Sequence, residues 1–334
     1  MKYDAFTKAI AGGIALGAVL TGAALAEPAV IYDGGGKFDK SFNEAAYNGA
    51  EMYKAETGES YGEFEITNDA QREQALRQFA TRGYSPIVTP GYNFVTALQT
   101  VAPEFPDLQF VILDAEVDLP NVRSVLFKEQ EGSYLVGILA AMKSESGKIG
   151  VVPAFNFDLL EAFACGYAQG AKSVNPDIDV LETYVGTGFE AFNDPVKATE
   201  VAKSQLDQGV DVIFQVAGGA GAGVLQAAAD AGKFGIGVDS NQNHLHAGSV
   251  LTSMTKRVDV ATYNAMKGVA DGTWAPGLIV LGLAEDGVGA AMDDNNAALI
   301  TPEMQAAVDK ATADIISGAV TVHDFRSDKL CPSL

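Results

Sequence analysis

The sequence predicts an α/β protein with largely parallel sheets, folded as two similar lobes. Three observations carry this. Short apolar runs that suit buried strands alternate with helix-period segments along the chain. Several of these runs end in a polar residue, then a turn and a helix start, as at the carboxyl edge of an open α/β sheet. The pattern also restarts near Gly147, with no short-period repeat, so the 334 residues divide into two halves of domain size.

In order, Ala29 to Tyr32 reads as a buried strand, and a helix spans Asn43 to Glu56. A short strand is expected around Phe64 to Thr67, and a helix from Ala70 to Arg82 with Ala75, Leu76, Phe79 and Ala80 on one face. Pro86 to Thr89 is a strand ending in a Pro-Gly-Tyr turn, and a helix follows through Val101. QFVIL (Gln109 to Leu113) and Val122 to Phe127 are strands, and Gly132 to Met142 is a helix. The second half repeats the scheme. Strands are expected at Lys148 to Val152, Val180 to Val185, Val210 to Val216 and Phe234 to Val238. Helices are expected at Leu159 to Ala171, Asp194 to Gln208 and from the glycine turn at Ala217 through Ala231. Beyond Asn243 the order changes: strand Ser249 to Ser253, helix Val258 to Ala270, strand Leu278 to Leu283, helix Pro302 to Ile316, and a last strand at Val320 to His323.

Residues 1–26 read as a signal peptide. Lys2 and Lys8 precede an apolar, Ala/Gly-rich run, and Ala24-Leu25-Ala26 fits a small-x-small cleavage site before Glu27. No cysteine stands at that point, so the expectation is an exported protein, soluble in the periplasm and not lipid-anchored, without membrane insertion. The formal net charge is −21, and loss of the leader makes it more acidic. Such a surface repels nucleic acid and anionic lipid, which excludes both as main partners. Cys165 and Cys331 leave two options, a disulfide or a pair of free buried thiols. The three histidines, His244, His246 and His323, do not form a ligand set, so no metal is expected.

The chain is organised around DGGGKFDKSFNEAAYNGAE, Asp33 to Glu51. Glycine permits close backbone approach to a ligand, and Ser41 or Asn43 can cap the helix that follows. Phe42, an aromatic among polar neighbours, suits either a flat face stacked on a planar ligand or a staple beneath the helix. Asp33, Thr89, Asp114 and Asp239 end strands at the edge where such sheets bind ligands. Each aspartate is an acceptor for hydroxyl or amino donors, or else a helix cap. The turn AGGAGAG before a helix, with Asp239 ending the next strand, imitates a dinucleotide fingerprint, but its spacing is not GxGxxG. It reads as a ribose site without pyrophosphate, and no cofactor is expected. Lys256, in SMTKRVD, either neutralises Asp239 and donates to a hydroxyl or is a surface lysine. No nucleophile–base pair is visible, so an enzyme is disfavoured.

Several segments together resemble the basic membrane protein family, the purine nucleoside receptor-like binding proteins of ABC transporters. They are DGGGKFDKSFNEAAYNG, FVILDAEVDLPNVRSVLFKEQEGSYLVGILAA, KIGVV, YVGTGFEAFNDP, GVDVIFQVAGGAGAGV, GVDSNQ and LTSMTKRVDV, and they span nearly all of the mature chain. The resemblance implies a type I periplasmic-binding fold, two Rossmann-like lobes joined by three crossing strands. The expected lobes are 27–146 with 250–277, and 147–249 with 278–334. It also implies a purine base stacked between Phe42 and Phe192, and a ribose held by Asp239 and Lys256. Asp33, Asn43 and Asp114 match polar positions around the ligand, and Gly218 matches a backbone contact. The sequence departs from the family in lacking the lipoprotein cysteine of many relatives. GTGFEAFNDP also looks longer than usual, so Phe189 competes with Phe192 as the second wall. The expected function is a monomeric receptor that delivers adenosine, guanosine or inosine to an ABC permease. The alternatives are another sugar-bearing or heteroaromatic solute, or an exported nucleotide-dependent or nucleoside-cleaving enzyme.

Overall fold

A computed structural model describes residues 26–334. The expected signal peptide, except its last residue, lies outside the described residues. Two six-stranded sheets form the frame. The first half contributes β1 (Ala29–Tyr32), α1 (Phe42–Thr57), β2 (Gly62–Glu65), α2 (Gln71–Thr81), β3 (Ile87–Pro90), α3 (Val95–Val101), β4 (Phe110–Leu113) and β5 (Val122–Phe127). The second contributes α4 (Glu129–Lys143), β6 (Lys148–Pro153), α5 (Asp158–Val174), β7 (Asp179–Glu182), α6 (Pro195–Asp207), β8 (Val212–Val216), α7 (Gly221–Asp230) and β9 (Phe234–Asp239). Then come β10 (Val250–Lys256), α8 (Val258–Ala270), β11 (Gly277–Leu281), β12 (Val288–Ala290) and α9 (Pro302–Ile316).

The first sheet runs β11-β5-β4-β3-β1-β2 and is wholly parallel. The second runs β12-β10-β9-β8-β6-β7 and is parallel except for the antiparallel pair β10–β12. Inner strands such as β1, β3 and β4 are buried along their whole length, which is why they read as unbroken apolar runs. The helices sit close because glycine lines their contacts. A Cβ on Gly166 or Gly170 of α5 would lie 2.4 or 1.9 Å from carbonyl oxygens of α4.

The chain crosses between lobes three times, at Lys128, at Arg257 and between Leu281 and Val288. Backbone bonds tie these crossings together: the Lys128 amide donates to Leu281 and that of Arg257 to Gly287. The lobe bounds expected from the sequence therefore shift. Val250–Lys256 pairs with β9 in the second sheet, and Gly277–Leu281 pairs with β5 in the first, the reverse of the expected assignment. Likewise α4, expected in the first lobe, packs on α5 and β10 of the second. Strand partners are chosen across the whole sheet, and no local pattern reports that choice. The strand expected at Val320 to His323 does not form. His323 instead exchanges backbone bonds with the Gln169 side chain of α5. The three-residue β12 escaped notice because it is short and glycine-centred.

Of the two options for the cysteines, the structure has the disulfide, with Cα atoms 5.6 Å apart. It joins the middle of α5 to the chain terminus across 166 residues.

Candidate functional site

The carboxyl ends of the strands in both sheets face one cavity between the lobes. Asp33, Phe42, Asn43, Asp114, Phe192, Gly218, Asp239 and Lys256 all line it, as do Asp39, Tyr92, Phe157, Phe163 and Phe189. Residues as far apart as Asp33 and Lys256 meet there because the parallel strands of each sheet end at one edge and the two edges face each other.

The first turn shapes one wall. Asp39, not Ser41 or Asn43, caps α1: its carboxylate accepts from the amides of Ser41, Asn43 and Glu44 at 2.8, 3.0 and 3.1 Å. Burial pushes the Asp39 carboxyl up to about 7, against these bonds. Ser41 is thereby free to reach across the lobes, and its hydroxyl donates to Asp239 Oδ2 at 2.7 Å. Phe42 opens the helix, half-buried, with one face to the cavity. Asn43 is buried, and its Oδ1 has no hydrogen-bond partner among the described residues. Asp33 is differently placed. Arg72 donates to its Oδ1 at 2.9 and 2.6 Å and Asn93 to its Oδ2 at 2.7 Å, so its carboxylate is taken up within its own lobe.

Lys256 is the centre of charge and is 2% exposed, which removes the surface-lysine reading. Its partners are Asp114 Oδ2 at 2.6 Å and Glu129 Oε1 at 3.0 Å, rather than Asp239 as the sequence suggested. The correction has a simple cause: Asp239 is held by Ser41, and β10 delivers Lys256 toward the crossing where α4 starts. The ammonium also lies 5.2, 5.0 and 5.4 Å from the ring centroids of Phe42, Phe127 and Phe163. Burial pulls its pKa down, but Asp114, Glu129 and Asp239 outweigh that, so it is raised and Lys256 stays charged. Burial lifts the Asp114 carboxyl to about 6, with Lys256 opposing and Glu129 adding. Asp239 is raised for the same first reason, with Lys256 and Ser41 opposing. Asp114 Oδ1 is buried without a hydrogen-bond partner among the described residues. Both aspartates hold positive φ, 67° and 62°, where the strand turns sharply and aims the carboxylate into the cleft.

The second lobe supplies the aromatic wall. Gly218 has φ 53°, and a Cβ there would press on the Phe192 ring at 3.1 Å, so glycine seats that ring. Gly223 of the same turn serves packing: a Cβ there would lie 2.2 Å from the Pro195 carbonyl. Phe189 touches Phe155, Phe192 and the first lobe's Tyr92, at centroid distances of 5.6, 5.4 and 5.1 Å. Tyr92 stacks on Phe157 at 4.4 Å, an aromatic contact across the cleft mouth. Among the described residues no cluster of His, Cys, Asp or Glu is set to hold a metal, and no helix is long and apolar enough to cross a membrane.

The sequence reading missed Glu129, Tyr92, Phe157 and Phe163. Tyr92 had a signal, since it follows a strand-ending Pro-Gly. Glu129 had a weaker one, a charged residue between an apolar strand and an apolar helix. Arg326, which reaches Glu129 from the chain terminus, had none.

A family model described as ABC transporter substrate-binding protein PnrA-like matches residues 26–324. The chain belongs to this family, the Bmp family. It is 32% identical over 317 residues to the ABC transporter nucleoside-binding protein BmpA of Lactococcus lactis, covering 88% of each chain. It is 35% identical over 277 residues to an uncharacterized lipoprotein of Pyrococcus horikoshii, covering 78% of this chain and 67% of that one. A solute-binding protein of an ABC transporter system from Aeropyrum pernix K1 superposes with a TM-score of 0.82 at 29% identity, over 90% of this chain and 93% of that one. The chain is thus an ABC transporter substrate-binding protein of type I fold.

The family relationship overturns the expected unanchored state. The Pyrococcus horikoshii relative and two others from the same genus are named lipoproteins. The expectation rested on the lack of a cysteine beside Ala26, and the relatives' names conflict with it.

Proposed function

We propose that this Bmp family protein binds a purine nucleoside in the cleft and delivers it to an ABC importer, without catalysis. One observation carries the reading. Aromatic rings face the cavity from both lobes, Phe42 from one and Phe189 and Phe192 from the other, beside a buried polar set. A planar base fits between the rings. A ribose fits beside Asp114, Asp239 and Lys256, where hydroxyl donors meet two carboxylates and an ammonium completes the exchange. The unpartnered Asp114 Oδ1 and Asn43 Oδ1 are acceptors that a ligand donor would satisfy. The Lactococcus lactis relative is named a nucleoside-binding protein, which points the same way. Closure of the lobes on the ligand is the working motion.

Calorimetry with adenosine, guanosine, inosine, the free bases and ribose tests the proposal. Tight binding of at least one nucleoside, with its base weaker and ribose weaker still, is expected. Ribose binding best, or Asp239→Ala leaving nucleoside affinity unchanged, refutes it.

A further inference from the structure

The chain terminus returns to the cleft by a path the binding function does not by itself require. After α9 the chain lies along α5 and is fastened there at three points. Gln169 bonds the His323 backbone, Cys165 is bridged to Cys331, and Asp158 pairs with Lys329 at 2.6 Å. Residues 158, 165 and 169 are spaced by seven and four, so they form one stripe of the helix facing the tail. Between these fastenings stands Arg326. Its guanidinium pairs with Glu129 Oε2 at 2.8 Å and donates to the Phe127 carbonyl at 3.1 Å. Asp324 holds it from within the tail at 2.9 Å.

Glu129 is fully buried, and its other oxygen faces Lys256 at 3.0 Å. An unbroken line therefore runs Arg326–Glu129–Lys256–Asp114, from the tail to the cavity. Three carboxylates, Asp114, Glu129 and Asp239, share this buried region with Lys256 alone unless Arg326 is present. A second cation beside Glu129 lowers the cost of burying such a set. Arg326 thus holds Phe127 and Glu129, the two residues on either side of the first crossing between lobes.

We propose that Arg326 is a positioning residue for the ligand cleft, carried to it by a tail that the Cys165–Cys331 bridge fastens to α5. It neutralises Glu129, so that the Lys256 ammonium is shared toward Asp114 and stays directed at the cavity. It also pins the crossing at Phe127. The consequence for ligand binding rests on the nucleoside reading above; the brace itself does not.

The test uses the full chain with Arg326→Gln, Arg326→Lys, Cys331→Ser and Glu129→Gln, each alone, with Arg326→Gln also combined with each of the last two. The first readout needs no ligand: the side-chain nitrogen resonance of Lys256 in the unliganded protein. Arg326→Gln is expected to shift it and Arg326→Lys to restore most of the shift. The second readout is affinity for whichever nucleoside the wild type binds. Arg326→Gln is expected to weaken it about tenfold, and this loss should shrink to near nothing in the Glu129→Gln background. Cys331→Ser should weaken binding in the same direction, and add little once Arg326 is changed. An unmoved Lys256 resonance, or additive losses in either double variant, overturns the proposal. A wild type that binds no nucleoside, while the Lys256 resonance still answers to Arg326→Gln, condemns the nucleoside reading and leaves the brace standing.

Discussion

Acidification is expected to move ligand affinity and fold stability in opposite directions. Asp114 sits among Lys256 from β10, Glu129 from α4, Asp239 from β9 and Arg326 from the tail, and burial lifts its pKa from the ordinary 3.8 to about 6. If ribose hydroxyls donate to an ionised Asp114, only the ionised fraction binds well. At pH 8 that fraction is about 0.99, and at pH 5 about one molecule in eleven, so the apparent affinity falls about tenfold. Asp239, also raised, deepens the loss. Stability has the other sign. A carboxyl whose folded pKa exceeds its unfolded one binds a proton in the native state that the unfolded state has already released. Between about pH 4 and 6 for Asp114, and up to about 7 for Asp39 and Glu182, the unliganded protein therefore gains stability as pH falls. The assay is calorimetric titration with the tightest nucleoside at pH 8, 6.5 and 5, beside thermal melts of the unliganded protein at the same values. Affinity unchanged at pH 5, or an unliganded Tm that falls steadily from pH 8 to 5, refutes the reasoning.

Three substitutions extend the test. Phe42→Ala should weaken nucleoside binding by about 1–3 kcal/mol, the order of one lost base–aromatic stack, with little change in unliganded Tm; the reverse pattern in paired titrations and melts would make Phe42 a staple. Lys256→Met leaves Asp114 and Glu129 without their shared cation, and urea denaturation should show a loss of about 3 kcal/mol. That is the low end for a broken buried pair, because Asp114, already raised by burial, can take up a proton once Lys256 is gone. Tyr92→Ala removes the stack on Phe157 and the contact with Phe189, each worth about 0.5–1.5 kcal/mol. Small-angle scattering of the unliganded protein should then show a larger radius of gyration, and an unchanged radius would mean that Tyr92 does not hold the lobes together.

The sequence by itself determined most of the strands and helices and the edges where chemistry gathers. Runs such as AVIY and FVIL are apolar throughout because inner parallel strands are covered on both faces. Asp33 and Asp114 share the carboxyl edge of the first sheet and Asp239 lies at that of the second, because all strands of a parallel sheet point one way, and the two edges face one cavity. Hence eight residues chosen from separate motifs line one cavity. What only the tertiary structure decided is who pairs with whom. Lys256 faces Asp114 and Glu129 rather than Asp239, and Asp33 is claimed by Arg72, because an ion pair is set by distances between strands and not by order along the chain. The exchange of β10 and β11 between sheets has the same origin, since hydrogen-bonding edges do not advertise their partners. Arg326 is the extreme case: it stands almost 200 residues from Glu129, and only the folded path of a bridged tail brings its charge to the cleft.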